Sequence, residues 1–194
     1  MDDSISFALL KTITNDFSDE LKVASDTYGD VYKAVYDGKD IAVKRFDQGF
    51  DDDDPFRNEF RNLRELRHQN IVRLIGYSYE KRHKFVPHGG KVVLASSTEM
   101  ALCYEYMHGG SLDKHISDQC CDLDWHTCFE IIIGTCVGLN HLHNAQEGPM
   151  YHLNLEPANI WLDKNMTPKI ANFGLSRLFA STRTHMTSMP MGTL

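Results

Sequence analysis

A chain of 194 residues, 42% hydrophobic and 24% charged, has the make-up of a globular protein and room for one domain or two small lobes. Its formal net charge of −7 argues against nucleic acid as a ligand, because that affinity comes largely from basic groups neutralising phosphates. No apolar run reaches the roughly 18–20 residues of a membrane span, and the acidic start Met1-Asp2-Asp3 lacks the basic region of a secretory signal. Five cysteines without C-x-x-C spacing imply neither a disulfide framework nor a zinc site. The adjacent Cys120 and Cys121 are expected to be plain thiols in a reducing, cytoplasmic setting. His141 and His143 lie in a helical segment, where packing or solvent roles are expected rather than metal binding.

Ile5, Leu9, Leu10, Ile13 and Phe17 form a helical stripe. Leu21 to Lys33 has the pattern strand, turn, strand, with Gly29 in the turn. Asp37-Gly38 marks a further hairpin, followed by the apolar strand Ile41-Ala42-Val43 that ends in Lys44. The four residues Asp51 to Asp54 read as a solvated acidic loop. Phe56 to Arg67 is predicted as a helix with Phe56, Phe60, Leu63 and Leu66 on one face. An elaborated hairpin is expected over Glu80 to Met100, then the apolar strand Leu102 to Met107 and a short helix over Ser111 to Ser117. Asp124 is a candidate N-cap for a helix from Thr127 to Asn144. That helix is apolar nearly all round, which predicts burial, with Gly134 and Gly138 allowing close packing.

The stretch from Met150 to Leu175 carries the most specific signals. His152-Leu153-Asn154-Leu155-Glu156-Pro157-Ala158-Asn159 has the frame H-R-D-L-x-x-x-N of the protein-kinase catalytic loop, and Asn172-Phe173-Gly174 stands where that family has D-F-G. In the right order before them come Ile41 to Lys44, matching V-A-I-K, Glu59 on a helix, and the hinge-like Tyr104-Glu105-Tyr106-Met107. The chain therefore resembles the protein kinases. Its wider phrasing is similar to plant receptor-like serine/threonine kinases of the cysteine-rich-receptor-like type. The resemblance implies an α+β, two-lobe fold: an N-lobe antiparallel sheet with the αC helix, and an incomplete helical C-lobe. It divides the chain into a leader helix at 1–20, N-lobe and hinge at 21–107, and a partial C-lobe at 108–194 ending in the activation segment.

The resemblance also implies roles. Gly29, Val31, Ala42, Lys44, Glu59, Tyr104, Glu105, Met107 and Trp161 fall at nucleotide-binding positions, with Glu59 the ion-pair partner of Lys44, Tyr104 the gatekeeper, and Trp161 at the adenine floor. Asn159 and Asn172 fall at metal positions, and Asn154 and Glu156 at the catalytic base and the lysine near the γ-phosphate. Three of these positions, and Asp26 in the glycine-rich turn before Gly29, depart from the family in the same direction. Asp26 replaces a glycine and would repel phosphates; Asn154 has no basic lone pair; Glu156 reverses a charge; Asn172 is a neutral amide where a hard dication wants carboxylate. ATP binding is thus expected to be weakened and Mg²⁺ binding to be in doubt. Leu153 replaces an arginine that would pair with phosphates on Ser181, Thr182, Thr184, Thr187 or Ser188. Three readings remain: a pseudokinase acting as a binding or scaffold module, a serine/threonine kinase with residual activity, and a truncated fragment without a role. The first implies a protein partner, such as an active receptor-like kinase, and a cytoplasmic location at the plasma-membrane face reached through that partner.

Overall fold

The computed structural model describes residues 3–47, 55–89, 91–116, 123–145 and 148–178. The acidic run Asp51–Asp54, the Cys120-Cys121 pair and the hydroxyl residues from Ser181 to Ser188 lie outside the described residues. Two compact units form: Met1–Phe56 with Leu74–Glu105, and Arg57–Arg73 with Tyr106–Leu194. The stretch Arg57–Arg73 thus groups with the second unit, whereas the sequence reading put it with the first.

The first unit is a five-stranded antiparallel sheet of order β1-β2-β3-β5-β4. Its strands are β1 (Lys22–Asp26), β2 (Gly29–Tyr36), β3 (Lys39–Phe46), β4 (Leu74–His88) and β5 (Lys91–Glu105). Strand alternation gives the sheet two different faces. Tyr32, Ala34, Ile41, Val43, Ala101 and Cys103 point to one face and are buried with Ile5, Phe7, Leu10 and Phe17. This is the core, and its burial pushes the Cys103 thiol up to about 12, leaving an inert side chain. The register pairs Val31 with Lys44, Lys44 with Leu102, and Ala42 with Tyr104, so these residues share the opposite face.

Helix α1 (Phe7–Ile13) covers the core face. Ser6 caps it by accepting from the Leu9 N–H, and the Phe7 N–H donates to the Glu80 carboxylate at 2.7 Å. The expected helix to Phe17 stops earlier. Asn15, Asp16 and Phe17 all take left-handed backbone angles (φ 50°, 55° and 57°). That reversal seats Phe17 against Phe7 and Tyr32, with ring centroids 5.4 and 5.2 Å away.

The second unit takes in most of α2 (Pro55–Leu63), together with α3 (Trp125–His143). Two small sheets complete it: β6-β8-β9 (Gly110–Ser111, Ile160–Leu162, Pro168–Ile170) and β7-β10 (Met150–Tyr151, Arg177–Leu178). Helix α2 ends at Leu63 rather than Arg67, because the Arg67 guanidinium turns back onto the Leu63, Arg64 and Leu66 carbonyls. The helix expected over Ser111 to Ser117 is only a 3₁₀ turn at Leu112–Lys114.

Asp124 does cap α3, accepting from the Thr127 N–H at 2.7 Å. The glycines act as expected. A Cβ on Gly134 would stand 2.6 Å from Pro168, and one on Gly138 would stand 2.9 Å from the Asn70 carbonyl. The all-round burial of α3 is corrected. Ile131, Gly138 and Leu142 are buried, while Trp125, Phe129, Ile132, Ile133 and Val137 are exposed. Among the described residues the helix packs against β9 and, near its C-terminal end, against β7.

Candidate functional site

The residues singled out from sequence fall in both units. In the first, Lys44 sits on β3 with only 3% of its surface exposed. Its ammonium meets the Asp26 carboxylate at 2.7 Å and lies 4.9 Å from the centre of the Phe46 ring. Asp26 ends β1, and its other carboxylate oxygen accepts from the N–H groups of Tyr28 and Gly29 at 2.8 and 3.1 Å. Asp26-Thr27-Tyr28-Gly29 is thus an aspartate-stabilised turn, with Asp at its first and Gly at its last position. Asp26 is thus a carboxylate bonded through both oxygens. The turn composition was visible in sequence; the reach to Lys44 needed the strand register.

Gly29 has a local reason of its own. A Cβ there would collide with the Arg45 carbonyl across the β2–β3 pair. Val31 and Ala42 are half-buried on the Lys44 face. Tyr104 is buried on β5, and Glu105 is the last residue of that strand.

In the second unit, His152 is buried and its Nε2 donates to the Ala171 carbonyl at 2.8 Å. Burial holds its imidazole below the usual range, with the Ala171 bond and the Glu59 charge opposing. Its ring meets Phe173 edge-on at 4.9 Å, and its carbonyl accepts from the Ser176 hydroxyl. Leu153 follows with φ 64°, in the left-handed region, as does Asn172 with φ 67°.

Between them runs a chain of amides around one carboxylate. Glu156 accepts from the Asn154 amide at 3.3 Å and from the Asn159 amide at 3.0 Å. Asn159 also donates to the Asn154 carbonyl at 2.9 Å, and the Asn159 oxygen accepts from Asn172 at 3.2 Å. The orientation of Asn159 is fixed: its nitrogen faces two acceptors, so its oxygen must face Asn172. The four sequence-predicted positions Asn154, Glu156, Asn159 and Asn172 are therefore brought together.

Glu59 is buried and accepts from the Phe173 N–H at 3.3 Å. Sequence reading missed its neighbours on α2. The Asn58 amide donates to the Gly174 and Ser176 carbonyls, and the Asn62 amide to those of Phe173 and Ser176. These i, i+4 asparagines hold the Asn172-Phe173-Gly174 segment; the apolar stripe of the helix had masked them. Trp161 is half-buried on β8, on the face opposite the buried Ile160 and Leu162. Met107 is buried in this unit, just beyond the end of β5. Among the described residues no three of His, Cys, Asp or Glu gather as a metal-binding group, and no helix is long and apolar enough to cross a membrane.

Comparison with known proteins agrees with this geometry. The family model described as "Protein kinase domain" matches residues 17–194. Receptor-like serine/threonine-protein kinase SD1-7 of Arabidopsis thaliana is 40% identical over 182 residues, 90% of this chain and 19% of that protein. Cysteine-rich receptor-like protein kinase 26 of the same plant is 40% identical over 177 residues, covering 89% of this chain and 24% of its own length. The chain thus spans about a fifth to a quarter of these curated relatives. With its antiparallel-sheet unit, its catalytic-loop frame and its Asn-Phe-Gly turn in family order, the chain belongs to the protein kinase domain family and, within it, resembles the plant receptor-like serine/threonine kinases.

Proposed function

We propose that this chain is a pseudokinase, a binding or scaffold module of kinase fold whose phosphotransfer is lost. The observation that carries the reading is the Asn154–Glu156–Asn159–Asn172 network. In the family an aspartate at the Asn154 position accepts the substrate proton, and one at the Asn172 position holds Mg²⁺. An amide does neither. Asn154 has no basic site, and the loss of a general base typically costs about 10²–10⁴ in rate. The donors left for a hard dication are one carboxylate and amide oxygens, and the Asn159 oxygen already accepts from Asn172. This donor set does not fit Mg²⁺.

The relatives are named receptor-like kinases, and this module's partner is accordingly a protein, with an active receptor-like kinase the first candidate. Its location is cytoplasmic, at the plasma-membrane face through that partner. A second reading, an ATP-binding serine/threonine kinase of residual activity, draws on the presence of Lys44, Glu59 and Asn159.

Thermal unfolding with ATP in Mg²⁺ and in EDTA tests the proposal. A ligand at a hundred times its Kd adds about 2.7 kcal/mol to stability. The pseudokinase reading expects no Mg²⁺-dependent increment. A Tm that rises with ATP only when Mg²⁺ is present supports the second reading instead.

A further inference from the structure

The turn between β1 and β2 does more than lack glycines. Its Asp26 is a planar anion with both oxygens engaged: one on the Lys44 ammonium at 2.7 Å, the other on two successive backbone N–H groups at 2.8 and 3.1 Å. A strand lysine together with the amides of a tight turn is the donor set that cradles a phosphate. Here that set is assembled and already bonded. Asp26 cannot easily withdraw, because it pairs with Gly29 across a two-residue loop and its carboxylate closes that loop. The pair is not a solvated surface contact of small consequence. The Lys44 side chain is 4% exposed, and the Phe46 ring lies beside its ammonium.

We infer that Asp26 is an internal stand-in for a nucleotide phosphate, which makes it the residue that sets ligand class: it excludes polyphosphates and leaves uncharged flat heterocycles unaffected. An incoming phosphate meets donors that are taken and a negative charge that stays within a few ångströms. A neutral nucleoside makes no demand on Lys44 or the turn. The inference rests on the family role of Lys44, and it does not depend on whether phosphotransfer is lost.

The test is limited acylation of the full chain with an amine-reactive succinimidyl ester, read at Lys44 by peptide mass spectrometry, with the exposed Lys39 as internal reference. Wild type is compared with Asp26→Asn, which keeps an acceptor for the turn but removes the charge, and with Asp26→Gly. Each is labelled alone, with ATP and with adenosine. Lys44 is expected to label at least about tenfold faster in both variants, the equivalent of losing one charge-assisted bond. ATP should then slow labelling in Asp26→Gly and leave wild type unchanged. Should Asp26→Gly lose its cooperative unfolding transition, Asp26→Asn decides alone.

Equal labelling of wild type and variants overturns the inference. So does ATP protection of wild-type Lys44 as strong as in the variant. Faster labelling with ATP protecting neither overturns the phosphate assignment and leaves a structural ion pair. ATP protection of wild-type Lys44 without phosphoryl transfer would overturn this inference alone, whereas phosphoryl transfer by wild type would overturn the pseudokinase reading as well.

Discussion

Glu156 is held by the amides of Asn154 and Asn159. Asn159 in turn ties Asn154 and Asn172 to the same network. His152 lies beside this loop and gives a pH prediction. Burial holds its pKa below the ordinary imidazole value of about 6.5, and His68 is shifted the same way, again by burial first. Well above that value neither folded nor unfolded chain carries an appreciable charge at these rings. As pH falls below it, the unfolded chain takes up protons that the folded chain refuses, so stability is lost. Tm is expected to fall between about pH 7.5 and about pH 5.5. A flat Tm over that window contradicts the buried, neutral imidazole. At this scale the sequence was informative about identity and poor about partners. Asn154 and Asn172 declare their missing carboxylates by position alone. The bonds of Asp26, Asn58 and Asn62 depend on register and tertiary approach, which no local pattern encodes.

Helix α3 shows the same division one level up. Its start was legible because Asp124 stands three residues before Thr127, the spacing at which a carboxylate reaches a free N–H. Its small residues were legible too, since Gly134 and Gly138 four apart must share a face. Adding a methyl at either meets Pro168 or the Asn70 backbone at 2.6–2.9 Å. Gly134→Ala and Gly138→Ala are each expected to cost about 1–3 kcal/mol from overpacking. Urea unfolding measures this, and a midpoint unchanged or raised would contradict the close approach. Helix ends were less legible. The left-handed run at Asn15 to Phe17 and the Arg67 return onto α2 are decided by what Phe17 and Arg67 reach, not by helical periodicity.

For the whole molecule, the kinase class and the order of its motifs were readable because many weak signals agreed along the chain. The exposure of α3 was not, because apolarity on all sides does not say which side this chain covers. Trp125, Phe129, Ile132, Ile133 and Val137 form one exposed stripe, opposite the buried Ile131, Gly138 and Leu142. Contiguous apolar surface of this kind drives association. The isolated chain is expected to self-associate with rising concentration in sedimentation velocity, and Phe129→Glu with Ile132→Glu to shift it towards monomer. A wild-type chain that stays monomeric contradicts this expectation.

The proposed loss of phosphotransfer is tested most directly by label transfer. Wild type and the restored variant Asp26→Gly/Asn154→Asp/Glu156→Lys/Asn172→Asp are incubated with γ-labelled ATP, Mg²⁺ or Mn²⁺ and a generic acceptor protein. Wild type is predicted to transfer at least about 10²-fold less than the restored variant, since the missing base alone removes about 10²–10⁴ in rate. Metal-dependent transfer by wild type, within about tenfold of the restored variant, would contradict the account, because the base could not then be absent.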